Sequence, residues 1–89
     1  MITKTITIIN KLGLHARAAA KLVATASRFS SHIELKKQSR DVNAKSIMGV
    51  MMLAATQGTA LEISAEGEDE ADAMLAIENL IQDKFGESE

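Results

Sequence analysis

Alternation of apolar and polar side chains predicts four β-strands. The pattern is clearest in residues 1–9, where isoleucines and threonines take turns along the chain. It returns at residues 32–36 and 61–66, and the polar residues 37–40 predict a turn into a short strand near Val42. A period of two places every second side chain on one face of a strand, so each strand should have one buried face. The apolar positions expected on these buried faces are Ile2, Ile6, Ile8, Ile33, Leu35, Leu61, Ile63 and Ala65.

Between the strands, apolar residues recur every three or four positions, which predicts three helices. The first begins after His15, and the second begins after Ser46 and should close at residues 57–58. The third follows the acidic residues 68–72, where carboxylates favour the positive end of a helix, and should end at Gly86. The predicted core stripes are Ala19, Leu22, Val23, Ala26 and Phe29 in the first helix, Ile47, Val50, Met51 and Ala54 in the second, and Met74, Ile77, Leu80, Ile81 and Phe85 in the third.

The order of the predicted elements is β-α-β-β-α-β-α. One-sided strands separated by helices indicate a four-stranded antiparallel sheet covered on one face by three helices, which is an α+β sandwich. The chain has 89 residues and contains no proline, linker or low-complexity tract. We therefore expect residues 1–89 to form a single domain.

Composition narrows the class of protein. A content of 46% hydrophobic and 25% charged residues is ordinary for a globular protein. The absence of cysteine excludes a disulfide scaffold, a thiol nucleophile and a cysteine-ligated metal site. The longest mostly apolar stretch, residues 47–55, is too short to cross a bilayer, and residues 1–9 lack the apolar core of a signal peptide. We expect a cytoplasmic protein that does not engage the membrane.

Charge is distributed unevenly along the chain. Residues 1–61 carry nine Lys or Arg and two acids, whereas residues 62–89 carry ten acids and one Lys. This polarity favours docking on an acidic protein surface, or binding of an anion near the basic part. Two Phe and no Tyr or Trp leave little for bases to stack on, so no nucleic-acid partner is expected. No metal-ligand or nucleotide-binding motif is present, and we expect neither a metal site nor a cofactor.

Residues 13–17 (GLHAR) carry the strongest candidate chemistry. His15 stands at the start of the first helix, where the free backbone N–H groups of Ala16, Arg17 and Ala18 form an anion site. The helix dipole disfavours a cationic ring there, and a neutral imidazole is a nucleophile towards a phosphoryl group. Arg17 can clamp phosphate oxygens. The alternative is that His15 simply caps the helix and Arg17 is a solvated charge.

Ser46 is a natural N-cap for the second helix, because it directly precedes the apolar helical run. A phosphate on Ser46 would be stabilised by the helix terminus and would add about two negative charges, which could repel a partner. The alternative is a plain cap. Met48, Met51 and Met52 follow within a few residues; such a cluster is usually core, but exposed methionines adapt to several partners. Met48 lies off the apolar stripe and should be exposed.

Three segments can be compared with known families: residues 14–19 (LHARAA), 43–51 (NAKSIMGVM) and 64–70 (SAEGEDE). Together they resemble HPr, the histidine-containing phosphocarrier of the bacterial phosphoenolpyruvate:sugar phosphotransferase system. The resemblance covers nearly the whole chain and implies the open-faced sandwich of that family. It implies that His15, assisted by Arg17, accepts a phosphoryl group on Nδ1 from phospho-enzyme I and passes it to an enzyme IIA domain. The protein would then be a stoichiometric carrier and not an enzyme.

The resemblance also implies a regulatory site and a docking surface. Ser46 matches the serine that HPr kinase/phosphorylase phosphorylates. The family usually has proline where this chain has Ala18; alanine restores an N–H and is the best helix former, so we expect the site to survive with a looser helix start. A monomer is expected, because a carrier must present one face to successive partners. The residues implied in partner docking are Ala20, Ile47, Met48 and Met51.

Two other hypotheses are open. The first is a regulatory protein-binding module of an incomplete or nitrogen-related phosphotransferase system that acts through its phosphorylation state. The presence of His15 favours the carrier, since a paralogue that used only its serine would be expected to lack the histidine. The second is a small-ligand sensor on the same fold, but no apolar pocket can be argued from the sequence.

Overall fold

The computed structural model describes residues 1–89 and has the predicted order of elements. The elements are β1 (Ile2–Thr7), α1 (Ala16–Ala26), β2 (His32–Lys37), β3 (Arg40–Asn43), α2 (Ile47–Met52), β4 (Ala60–Glu66), α3 (Glu70–Gln82) and a 3-10 helix (Lys84–Gly86). None of the helices is long and apolar enough to cross a membrane.

The four strands form one antiparallel sheet in the order β1-β4-β2-β3. Ile63 in β4 faces Lys4 of β1 on one side and Leu35 of β2 on the other, and Leu35 also faces Val42 of β3. β4 therefore lies in the interior of the sheet, although it is the last strand in the chain. The predicted α+β sandwich, with three helices over one face of an antiparallel sheet, is confirmed.

The alternating pattern of the strands predicts their burial correctly. Ile6, Leu35 and Ile63 are buried, and the polar residues between them on each strand are largely exposed. Ile2 is half-buried. The helices pack over these side chains and complete one apolar cluster. Their buried residues are Ala18, Ala19, Leu22 and Ala26 in α1, Val50 in α2, and Ala73, Met74, Ile77 and Ile81 in α3.

The prediction for α2 is wrong in length and in burial. The helix ends at Met52, well before residues 57–58, and Val50 is its only buried residue. The helix stops before Ala54, which takes the left-handed backbone conformation with φ of 50°, and the carbonyl groups at this end accept hydrogen bonds from the side chains of Lys37 and Arg40. Arg40 binds the Met52 carbonyl at 2.7 Å, and Lys37 binds the next two carbonyls at 3.0 and 3.2 Å. Three residues of the predicted stripe are exposed: Ile47, Met51 and Ala54.

The predicted end of α3 at Gly86 is also wrong. The helix ends at Gln82, and Lys84 and Phe85 take the left-handed backbone conformation, with φ of 55° and 56°. Residues 84–86 form the 3-10 helix that follows, and Phe85 within it is buried. Lys21 of α1 donates to the Phe85 carbonyl at 2.6 Å, so the last residues run back towards the start of α1. Among the other stripe positions, Val23, Phe29 and Leu80 are half-buried, and Phe29 lies beyond the end of α1.

Candidate functional site

His15 is the N-cap residue of α1, as predicted. Its backbone is extended, with φ of −72° and ψ of 177°, and its carbonyl accepts the first helical hydrogen bond from the Ala19 N–H at 2.8 Å. The N–H groups of Ala16, Arg17 and Ala18 precede that bond and have no partner within the helix. The His15 side chain makes no capping hydrogen bond. The ring is therefore available for other contacts, beside three free N–H donors.

Arg17 lies on the first turn of α1, where it is exposed and forms no salt bridge. Its guanidinium is therefore unpaired beside His15. A free guanidinium and the free N–H groups of a helix start are the groups that bind phosphate oxygens in proteins. The structure brings together the sequence-predicted residues His15, Ala16, Arg17 and Ala18.

The loop before α1 is built around Gly13. Its φ is +68°, and a Cβ at this position would lie 2.5 Å from the Ala55 carbonyl oxygen and 2.9 Å from the Thr56 Cα. The adjacent N–H, that of the buried Leu14, donates to the same Ala55 carbonyl at 2.8 Å. Only glycine combines this conformation with so close an approach of two backbones. The backbone of the segment after α2 therefore packs directly against the loop that leads to His15.

Glu87 contacts the His15 ring, although the sequence did not predict Glu87 as a site residue. Its Oε2 is hydrogen-bonded to His15 Nε2, and its Oε1 accepts from Asn10 Nδ2 at 3.0 Å. Asn10 is fully buried, and its Nδ2 also donates to the Gly13 carbonyl at 2.9 Å. The hydrogen bond with His15, followed by that from Asn10, lowers the pKa of the Glu87 carboxyl. At neutral pH the Glu87 carboxylate is therefore ionised where it meets the ring.

The last residues of the chain form one wall of an open cleft over His15. The Lys11 N–H donates to the Glu89 main-chain oxygen at 2.6 Å, and the Lys11 and Glu89 side chains form a salt bridge of 3.4 Å. The basic and acidic parts of the sequence therefore meet at this place. We call this the His15 cleft, and it is lined by Lys11, Leu12, His15, Ala16, Arg17, Glu87, Ser88 and Glu89.

Ser46 caps α2, as predicted. Its Oγ accepts a hydrogen bond from the Gly49 N–H at 3.2 Å. The residue is exposed, and its own N–H donates to the Asn43 carbonyl at 3.0 Å. The hydroxyl thus lies at the surface, at the start of a short helix.

An exposed apolar surface surrounds the start of α2. Met48 is 69% exposed, as expected from its position off the stripe, and Ala20 on the adjacent helix α1 is exposed as well. Met52 and Leu12, which were not among the predicted docking residues, are 59% and 68% exposed. We call the apolar residues of α2 the methionine face, which consists of Ile47, Met48, Met51 and Met52.

Comparison with known proteins places the chain in one family. The family model for the "PTS HPr component phosphorylation site" matches residues 2–83. The phosphocarrier protein HPr of Xylella fastidiosa (strain Temecula1) is 54% identical over 87 residues, which are 98% of each chain.

Solved structures agree with the sequence comparison. A crystal structure of HPr from Thermoanaerobacter tengcongensis covers both chains completely, with 54% identity and a TM-score of 0.97. A second structure from that organism, described as an HPr dimer, is 55% identical, covers 98% of this chain and all of its own, and has a TM-score of 0.79. The chain therefore belongs to the HPr family of phosphocarrier proteins of the phosphotransferase system.

Proposed function

We propose that this protein accepts a phosphoryl group on His15 from phospho-enzyme I and passes it to an enzyme IIA domain. The observation that carries the proposal is the place of His15 at the start of α1, beside three backbone N–H groups without helical partners. A phosphoryl group bound to the ring would be next to these donors and to the unpaired Arg17. The protein acts in this proposal as a stoichiometric carrier in the cytoplasm, with residues 1–89 as a single domain.

The transfer is a substitution at phosphorus. A ring nitrogen of His15 forms a bond to phosphorus, and the bond between phosphorus and the donor breaks, so that the leaving group keeps the electron pair. Negative charge on the phosphoryl oxygens is stabilised by the N–H groups of Ala16, Arg17 and Ala18 and by the Arg17 guanidinium. Delivery to the acceptor reverses the step. The Ala18 N–H has no helical partner, so a proline at this position would remove no intrahelical bond, and alanine adds a donor.

Docking is proposed at the surface next to the His15 cleft. Ala20 on α1 and Ile47, Met48 and Met51 on α2 are exposed, and the two helices pack against each other. Unbranched methionine side chains adapt to differently shaped partners, which suits a carrier that meets enzyme I and enzyme IIA in turn. A carrier must release each partner, so we propose that the protein acts as a monomer.

The test is the intact mass of the protein after incubation with enzyme I and phosphoenolpyruvate, before and after mild acid. We expect a gain of one phosphoryl group that acid removes, absent from His15→Ala. His32→Ala is the matched control, because His32 is the other histidine and is exposed on β2. Acid-labile phosphorylation that persists in His15→Ala, or disappears in His32→Ala, would contradict the assignment.

Regulation through Ser46 is a second proposed function, favoured by its exposed hydroxyl at the edge of the methionine face. A phosphate there would add about two negative charges beside the apolar docking surface and weaken the binding of partners. HPr kinase/phosphorylase with ATP should add an acid-stable phosphate to the wild type and to His15→Ala, but not to Ser46→Ala. If only this acid-stable phosphate forms and His15 never accepts one, the protein is a regulatory module and not a carrier.

A further inference from the structure

We propose that Glu87 is a positioning residue that holds the His15 ring with its proton on Nε2, so that Nδ1 is the nitrogen that accepts the phosphoryl group. This inference rests on the proposed function of His15. It starts from the hydrogen bond between Glu87 Oε2 and His15 Nε2. An ionised carboxylate only accepts hydrogen bonds, so the proton in this contact belongs to Nε2. A neutral imidazole carries one N–H, and Nδ1 therefore keeps its lone pair for attack on phosphorus.

Glu87 is itself held in place. Asn10, fully buried, donates to its other carboxylate oxygen at 3.0 Å. The chain just before it is anchored by the buried Phe85, whose carbonyl accepts from Lys21 at 2.6 Å. The resulting chain of contacts runs from Asn10 through Glu87 to His15. A carboxylate that fixes the tautomer of a histidine from the far side of the ring is a common device in histidine chemistry.

The charge of Glu87 suits the phosphorylated state of the ring. When Nδ1 bonds to phosphorus and Nε2 keeps its proton, the ring becomes cationic, and the Glu87 carboxylate is placed to balance that charge. On delivery, the Nδ1–P bond breaks, its electron pair returns to Nδ1, and the proton again stays on Nε2. The other charged side chains nearby do not contact Nε2; they are Lys11, Arg17 and Glu89, which line the cleft, and Lys21 on α1.

The alternative is that the contact between Glu87 and His15 inhibits phosphorylation of the ring. Residues 86–89 could act as a strap that covers His15, and removal of the Glu87 carboxylate would then speed up phosphorylation. Both effects are tested by the same three variants: Glu87→Ala, Glu87→Gln and Glu89→Ala. Glu89→Ala is the matched control, because it removes an acid from the same wall of the His15 cleft without touching the ring.

The first experiment uses phosphoramidate, a small chemical phosphoryl donor whose leaving group is ammonia, so that no docking surface is involved. The rate and the phosphorylated ring nitrogen are followed by phosphorus and nitrogen NMR. We expect the wild type and Glu89→Ala to be phosphorylated on Nδ1 at similar rates. Glu87→Ala should react at Nδ1 about tenfold more slowly, and Glu87→Gln, which keeps an acceptor but loses the charge, about threefold more slowly. Thermal unfolding checks that each variant is folded.

The second experiment measures single-turnover transfer from phospho-enzyme I over a range of enzyme I concentrations. Loss of positioning should lower the limiting rate in Glu87→Ala by about tenfold and leave the half-saturating concentration unchanged. If Glu87 were a docking contact, Glu87→Ala would change the half-saturating concentration instead of the limiting rate. That result would overturn the proposal.

A third measurement does not depend on phosphoryl transfer. Nitrogen NMR of the unphosphorylated wild type at neutral pH should show a His15 proton on Nε2, protected from exchange with solvent, and this protection should be lost in Glu87→Ala but not in Glu89→Ala. A proton on Nδ1 in the wild type, or a rate in Glu87→Ala equal to or above that of the wild type, would overturn the inference. Failure of the proposed function is seen separately, as a wild type that accepts nothing from phospho-enzyme I while its Nε2 proton is still protected.

Discussion

The Asp69 carboxylate binds Ser31 across a gap of 38 positions in the chain and so ties the start of α3 to the start of β2. Oδ1 accepts hydrogen bonds from both the N–H of Ser31, at 2.9 Å, and its hydroxyl, while Oδ2 accepts from the Ser30 N–H at 2.9 Å. Asp69 stands at the N-cap of α3, but its side chain satisfies this loop and not its own helix. These hydrogen bonds, with that from the Ser31 hydroxyl first, lower the pKa of Asp69 to about 2.

The lowered pKa of Asp69 predicts a dependence of stability on pH. The unfolded carboxyl titrates near 3.8 and the folded one near 2, so the contribution of Asp69 is complete above pH 3.8 and is lost as the pH falls towards 2. Asp69→Asn should therefore melt several degrees below the wild type at pH 7, and the difference should shrink between pH 4 and pH 2. Asp72→Asn, exposed on the first turn of the same helix, should melt within a degree or so of the wild type. Equal losses at pH 7 and pH 2 would refute the role of the Asp69 carboxylate.

The backbone conformation and close packing of Gly13 predict that a substitution there destabilises the loop that carries His15. Gly13→Ala should lower the free energy of unfolding by about 3 kcal/mol or more, because a left-handed residue with a Cβ is strained and this Cβ would meet the Ala55 carbonyl at 2.5 Å. Gly58→Ala is the control, since Gly58 also has a positive φ, of +90°, but nothing within 4 Å of its Cβ position. Its cost should be about 1 kcal/mol. Urea unfolding measures both, and equal costs would show that the close approach at Gly13 is unimportant.

The two sides of α3 predict very different costs for two similar substitutions. Ile77 is fully buried in the core, and Ile77→Ala should cost about 2–5 kcal/mol in the free energy of unfolding. Leu75 is 56% exposed on the other side of the helix, and Leu75→Ala should change that free energy by no more than about 0.5 kcal/mol. Chemical denaturation of both variants is the measurement. A large cost at Leu75 would mean that its side of the helix is covered.

The cap of α2 predicts a modest effect on stability. Ser46→Ala removes the acceptor for the Gly49 N–H and should lower the free energy of unfolding by about 1 kcal/mol. Ser46→Asp keeps a good capping side chain and places a negative charge at the start of the helix, so it should be as stable as the wild type. Thermal or urea unfolding decides, and a Ser46→Ala variant as stable as the wild type would show that the capping bond contributes nothing.

The regular elements of the fold could be predicted from the sequence because their signals are local. Alternation in β1, β2 and β4 predicted which side chains are buried, since a strand with one buried face must repeat every two residues. The N-cap positions of His15 and Ser46 were also predicted from a local signal, because each residue directly precedes an apolar helical run. The roles of His15 and Ser46 in phosphoryl transfer and regulation stay predictions.

Only the tertiary structure decided where helices end and what faces His15. The carbonyl groups at the end of α2 and just after it accept hydrogen bonds from Lys37 and Arg40, which come from another part of the chain. Glu87 meets His15 across 72 positions, after a left-handed turn in which the buried Phe85 anchors the chain and its carbonyl accepts from Lys21 of α1. Sequence periodicity reports how a segment buries its own side chains. It contains no information on which distant residue supplies a hydrogen bond, since that depends on how the packed elements bring remote segments together.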